Sequence, residues 1–160
     1  MQEYHGERRL LSPAGGRVFP LQELYIGENS RRYSGEGFAV RAAGGITGFL
    51  LGKLPAVEIC SPVDGTVIAV QEDGIGLTLR TGDGLELSLE LCAPSELMKR
   101  VGDIAAAGER VCRMSQEEFR RSPAAVVVTF PDSGRVTELH VHSGTRLAGR
   151  AAAEYRVLRE

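Results

Sequence analysis

The sequence has no tryptophan, only three histidines and three cysteines, and no apolar run long enough to cross a bilayer. Each shortage removes a class of function. Its longest apolar stretch, Ile46 to Leu51, is interrupted by Thr47 and Gly48 and falls far short of the ~20 residues a spanning helix needs. Cys60, Cys92 and Cys112 are odd in number and include no CxxC pair, so neither a disulfide framework nor a zinc knuckle is indicated. Reduced thiols of this kind fit a cytoplasmic protein. A net charge of −2 supplies no basic field to draw phosphate backbones or anionic lipid, so nucleic acid is not an expected partner and no membrane insertion is expected. MQEYHGERRL is charged, with no apolar segment behind it, and is not read as a signal peptide. The stretch Ser61–Leu91 contains neither histidine nor cysteine, which leaves its strands without an obvious nucleophile, base or metal ligand.

What is abundant is glycine, at 20 of 160 residues, which favours tight turns and disfavours helix interiors, so many short strands are expected. Hydrophobic residues at 42% and charged residues at 25% are ordinary for a globular protein. The length suits one domain over residues 10–160, behind an N-terminal extension at 1–9. An internal repeat organises it. SPAGGRVFPLQE at 12–23 and SPVDGTVIAVQE at 61–72 both read S-P-x-x-G-x-V, and GEGFAVR at 35–41 matches GIGLTLR at 74–80. PDSGRVTEL at 131–139 is a weaker third echo. The unit is a duplicated strand–turn–strand element whose period is too irregular for a solenoid.

Several local readings follow from spacing. Leu77 and Leu79, the turn TGDG, then Leu85, Leu87, Leu89 and Leu91 alternate with polar residues, which predicts a hairpin with one buried face. Glu86 and Glu90 then lie about 13 Å apart on the outer face, a spacing of a solvated strand face rather than of an acid/base pair. The segment 44–57 reads as an inserted glycine-rich loop or extra hairpin with exposed apolar residues, a candidate partner-docking flap. PSELMKRV, 94–101, can form a short helical turn. SQEEFRRS, 115–122, is a better helix, with Ser115 and Glu118 forming a capping box and Pro123 stopping it. GDIAAAGERVCRM is expected as a strand between glycine turns, AAVVVTF as a central strand, and the end of the chain as a strand, a turn and a closing strand from Glu154 to Leu158.

Taken in order, these segments resemble the glucose-type enzyme IIA domain of the bacterial phosphoenolpyruvate-dependent sugar phosphotransferase system. LLSPAGGRVFPLQEL, SGEGFAVRAAG, SPVDGTVIAV, DGLELSLEL, GDIAAAGERV and SPAAVVVTF match six of that family's segments in register, over nearly all the chain from about residue 10. The resemblance implies an all-β fold, an antiparallel β-sandwich (a barrel-sandwich hybrid) with one or two short helices. It implies protein partners: a phosphocarrier protein that donates phosphate to a histidine, a sugar-permease IIB domain that receives it, or a regulated protein. No cofactor is expected.

Carried over by position, the family's phosphoacceptor histidine falls on Glu90. Its assisting histidine falls on Ile75, or on Asp73 if the I-G-L triplets are matched instead. The family's glycine and acidic residue beyond the acceptor become Cys92 and Pro94, and its apolar docking run becomes Gly27, Glu28, Asn29 and Ser30. Acceptor, assistant and docking run are altered together, which implies a phosphotransfer-deficient regulatory or docking homologue. Alternatives remain open. One is that Glu90 itself accepts phosphate, another that it holds a permanent phospho-like negative charge. His140 and His142, in HVH, resemble the strand of lysostaphin-type zinc peptidases, although His5 in HGERR has no aspartate behind it to complete the metal site. Met98-Lys99 resembles the attachment point of biotinyl carriers, displaced from the hairpin tip. Cys92, with no basic neighbour to lower its pKa, is expected to be buried and inert.

Overall fold

The computed structural model describes residues 8–25, 36–131 and 133–158. In chain order the elements are strands β1 (Arg8–Leu11), β2 (Gly16–Pro20) and β3 (Glu36–Arg41), helix α1 (Gly45–Leu51), then β4 (Ala56–Cys60), β5 (Gly65–Val70), β6 (Gly76–Arg80) and β7 (Glu86–Leu91). There follow β8 (Glu96–Leu97), β9 (Ile104–Ala105), β10 (Arg110–Ser115), helix α2 (Gln116–Arg121), β11 (Val126–Phe130), β12 (Val136–Val141), β13 (Gly144–Arg146) and β14 (Ala151–Val157). Single 3-10 turns occupy Leu21–Tyr25, Glu72–Gly74 and Ser133–Arg135.

The paired strands are antiparallel throughout the described residues. An eight-stranded sheet in the order β13-β2-β3-β11-β7-β6-β5-β9 is joined by two three-stranded sheets, β1-β14-β12 and β4-β10-β8. Alternation along each strand sends Phe38, Val40, Leu77, Leu79, Leu87, Leu89, Val126, Val128 and Phe130 to the inner face, where they meet Ile59, Val111 and Met114 of one small sheet and Ala153, Tyr155 and Val157 of the other. This is the expected antiparallel sandwich.

The sheet order reads nearly the same from either end of the central β11–β7 pair, and the repeat explains why. Ser12 and Ser61 open equivalent turns, each fully buried and each donating its hydroxyl to the carbonyl two residues on, Ala14 at 2.8 Å and Val63 at 2.6 Å. The second glycines of the matching G-x-G segments also do the same work. A Cβ on Gly37 would collide with the Val128 carbonyl oxygen, and one on Gly76 with that of Leu89, so each flanking strand presses against a central one where only glycine fits.

Two expected elements differ. Residues 44–57 form neither a loop nor a hairpin but α1, followed by the start of β4. Residues 94–101 form no helical turn, because their donors are drawn sideways. Ser95 N–H reaches the Asp73 carbonyl at 3.0 Å and Met98 N–H that of Val111 at 2.9 Å, leaving β8 against β10. The expected helix at 115–122 is α2, with the Ser115 hydroxyl accepting from the Glu118 N–H at 3.4 Å. AAVVVTF supplies the central β11, and Gly102 and Gly108, at φ +98° and +84°, bracket β9. The closing strand begins earlier than Glu154, at Ala151, because β14 pairs with both β1 and β12.

Candidate functional site

On the outer face of the eight-stranded sheet the alternation that fills the core leaves a second, smaller apolar group. Phe19 of β2, Ala39 of β3 and Val127 of β11 lie on adjacent strands, and Leu21, from the 3-10 turn after β2, folds over them; all four are buried. Glu90 of β7 stands directly opposite Val127, so a carboxylate borders this apolar patch. It is half-buried, and its Oε2 is enclosed with no hydrogen-bond partner among the described residues. Glu86, two pleats away on the same strand, is exposed and pairs with Arg80 at 3.5 Å. The two glutamates therefore share a face but not an environment, and the solvated strand face expected for both holds only for Glu86.

On the other side Glu90 pairs with Gly76 of β6, which places Ile75 next to the carboxylate strand: the Ile75 carbonyl accepts the Leu91 N–H at 2.7 Å. Ile75 is 38% exposed, high for an isoleucine of the sheet face. Asp73 is held elsewhere. It lies in the 3-10 turn at φ +59°, exposed, with its carbonyl taken by Ser95. Of the two positions considered for the assisting group, Ile75 is hydrogen-bonded through its backbone to Leu91 of β7 and Asp73 to Ser95. Gln71, which the sequence reading did not single out, belongs here too. Its carboxamide nitrogen lies 3.2 Å from where a Cβ of Gly76 would stand, so the glycine opposite Glu90 leaves room for an amide over the sheet. The pairing of a Gln-Glu dipeptide with a G-x-G in both repeats was the available signal.

The arrangement is a buried apolar cluster on the outer face of the sheet with one half-buried carboxylate at its edge. Among the described residues it has no imidazole: His140 and His142 belong to β12 and the residue after it, in a different sheet, and His5 lies outside the described residues, as do Gly27, Glu28, Asn29 and Ser30.

The described chain superposes on a solved structure, the glucose permease IIA from Mycoplasma capricolum, with a TM-score of 0.70, at 17% sequence identity and covering 94% of this chain and 96% of that one. Its fold is IIA-like. No family model matches the sequence, and no curated protein matches it. At that identity the likeness concerns the architecture, and the architecture is the one the six sequence segments imply.

Within this IIA-like fold the competing chemistries find little support in the geometry. His140 and His142 do approach, with ring centroids 4.9 Å apart, but His142 Nε2 is engaged by the Glu154 carboxylate. Among the described residues no group of three or more His, Cys, Asp or Glu is placed to hold a metal. Lys99 is no free tip: its Nζ donates to Glu109 at 2.7 Å and to the Ile104 carbonyl at 3.1 Å. Cys92 is exposed, not buried as expected, because the chain turns outward after β7; its Sγ lies 3.7 Å from the Glu118 carbonyl oxygen. Partial desolvation there raises its thiol above the usual range, so the expected lack of activation stands on a different ground. No described helix is long and apolar enough to cross a membrane.

Proposed function

We propose that this chain is an enzyme-IIA-like component related to the sugar phosphotransferase system that docks protein partners in the cytoplasm without carrying phosphate. The observation that supports it is the composition of this part of the sheet: Glu90 and Ile75 occupy the positions of the acceptor and assisting groups implied by the resemblance, Gly76 stands opposite Glu90, and among the described residues no imidazole is near. Histidine phosphotransfer needs a neutral ring nitrogen as nucleophile and donors to steady the phosphoryl oxygens. Isoleucine supplies neither a proton nor a donor. Glu90, half-buried opposite Val127, presents instead a fixed carboxylate at the edge of a buried apolar cluster, a feature suited to recognition by a partner that reads one negative charge. The partners are then a phosphocarrier protein, a IIB domain or a regulated protein.

Incubation with phosphoenolpyruvate, enzyme I and phosphocarrier protein tests this directly, with intact mass as the readout. The expected result is no +80 Da species; stoichiometric labelling of the wild type would end the proposal, and its cleavage by hydroxylamine would mark Glu90 or another carboxylate as the acceptor. The double variant Ile75→His, Glu90→His places one imidazole on β7 and one on the residue before β6 and is expected to gain detectable labelling, since the scaffold around them is otherwise that of a IIA-like fold.

A further inference from the structure

Four arginines distant in sequence converge on one groove. Arg17 of β2, Arg41 of β3, and Arg120 and Arg121 of α2 line an open cavity of about 470 Å³ together with the backbone of Ala42, Ala43 and Gly44. Arg17 and Arg41 are direct cross-strand partners, and like charges so placed repel. Arg120 and Arg121 at the end of α2 complement its dipole, which accounts for their presence but not for their facing the other two. Arg121 is offset by Glu117 at 2.5 Å; among the described residues no carboxylate pairs with Arg17, Arg41 or Arg120. The Arg41 guanidinium is further steadied over the Phe19 ring, 5.7 Å from its centroid. A chain of net charge −2 has thus gathered at least three uncompensated guanidinium groups around a single concavity. Such a cluster is unfavourable when empty and becomes favourable when a multiply charged anion fills it.

We infer that this groove binds a phosphate-bearing ligand. Planar guanidinium forks match the spacing of phosphate oxygens, and several forks approaching from two sheet strands and a helix suit a group with two or more negative charges rather than a single carboxylate. A volume of about 470 Å³ has room for a phosphorylated small molecule. Its rim adds a second feature. Gly44, on the groove wall, begins the segment carrying α1, whose Ile46, Phe49 and Leu50 are 79%, 65% and 58% exposed. Two sources present such a phosphate, a soluble metabolite and a lipid headgroup whose acyl chains meet α1, and the chemistry recognised by the arginines is the same in both. Nothing in this inference depends on the role of Glu90.

Two arms of one experiment test it on the full chain at 50 mM salt. Pyrophosphate is titrated calorimetrically. In parallel, Phe49→Trp, which creates the one tryptophan in the chain, is mixed with vesicles of phosphatidylglycerol or of phosphatidylcholine and its emission followed. Pyrophosphate binding weakened at least tenfold in Arg41→Gln, Arg120→Gln, and unchanged in Arg146→Gln, supports a soluble ligand. A blue shift with phosphatidylglycerol but not phosphatidylcholine vesicles, abolished by the same double substitution, supports a headgroup. Phe49, Arg41 and Arg120 are exposed and Arg146 is only partly buried, so the fold is expected to survive the substitutions, with circular dichroism as the check. Absence of binding in both arms, or binding that the double variant retains, overturns the inference.

Discussion

A buried carboxylate oxygen without a hydrogen-bond partner costs roughly 1–3 kcal/mol, and Glu90 carries one beside Val127 in the centre of a sheet. Replacing it with leucine removes that cost and extends the apolar patch of Phe19, Leu21, Ala39 and Val127. Glu90→Leu is therefore expected to raise stability by about 1 kcal/mol in urea unfolding, an outcome that marks Glu90 as retained for recognition rather than for folding; a loss of stability would mean the carboxylate has a structural partner. The sequence disclosed only part of this. Alternation put Glu86 and Glu90 on one outer face, but the residues that flank Glu90 on β6 and β11, Gly76 and Val127, lie 14 residues before and 37 after it, and periodicity does not register such neighbours. Two other residues set a pH dependence. Burial pushes the Cys112 thiol up to about 11 and the Tyr155 hydroxyl, also facing Asp83, up to about 12, from ordinary values of 9.0 and 10.0. The folded state then holds these protons more tightly than the unfolded chain, so stability is intact below pH 9 and falls as pH rises through these folded-state values. Each group contributes on the order of 2–3 kcal/mol at full titration. Urea midpoints between pH 8 and 12 are expected to drop, with the upper part of the drop smaller in Tyr155→Phe; a flat profile would contradict the burial argument.

Helix α1 shows how an element can escape a reading of pattern. Its apolar residues face water, it has no buried residue, and so its sequence carries no amphipathic period to distinguish it from a glycine-rich loop. Seven residues are too few to hold a helix by themselves, and the support comes from α2: Gln116 donates its carboxamide to the Leu51 carbonyl at 2.8 Å and to that of Leu54 at 3.2 Å. Beneath the helix lies a mostly apolar cavity of about 150 Å³ lined by Leu51, Phe119 and Leu147, so packing there is loose. Gln116→Ala is expected to release α1 locally. Amide exchange at residues 48–54 would accelerate about tenfold or more, while global stability falls by less than about 0.5 kcal/mol, because little of the core is touched. Equal loss of protection across β10 and β11 would refute this. α2, by contrast, was legible, since its cap is a short-range interaction between Ser115 and Glu118 and Phe119 faces inward. Residues 94–101 misled for the opposite reason, their helical composition being overridden by hydrogen bonds to β10 and to Asp73.

At the scale of the whole molecule, the duplication makes a prediction that a list of contacts would not. The two copies sit on either side of the central β11–β7 pair, β2 and β3 to one side and β6 and β5 to the other, and each opens on a buried serine turn of the same design. This much was visible in the sequence as the doubled S-P-x-x-G-x-V. The convergence of Arg17, Arg41, Arg120 and Arg121 was not, because it arises only when β3 and α2 meet at one end of the sheet. Removing either serine hydroxyl leaves a buried carbonyl, that of Ala14 or Val63, short of a donor, at a cost of roughly 1–3 kcal/mol. Were the copies independent folding units, Ser12→Ala would loosen β2 and β3 and leave β5 and β6 intact. Both copies nevertheless feed one hydrophobic core, with Val18 and Phe38 from the first and Val67 and Leu79 from the second in the same cluster as Leu89 and Val128 between them. Ser12→Ala and Ser61→Ala are therefore expected to lower stability by similar amounts, each with a single unfolding transition coincident by circular dichroism and tyrosine fluorescence. A biphasic transition in either variant would show that the halves part company, and that the central strand pair does not couple them.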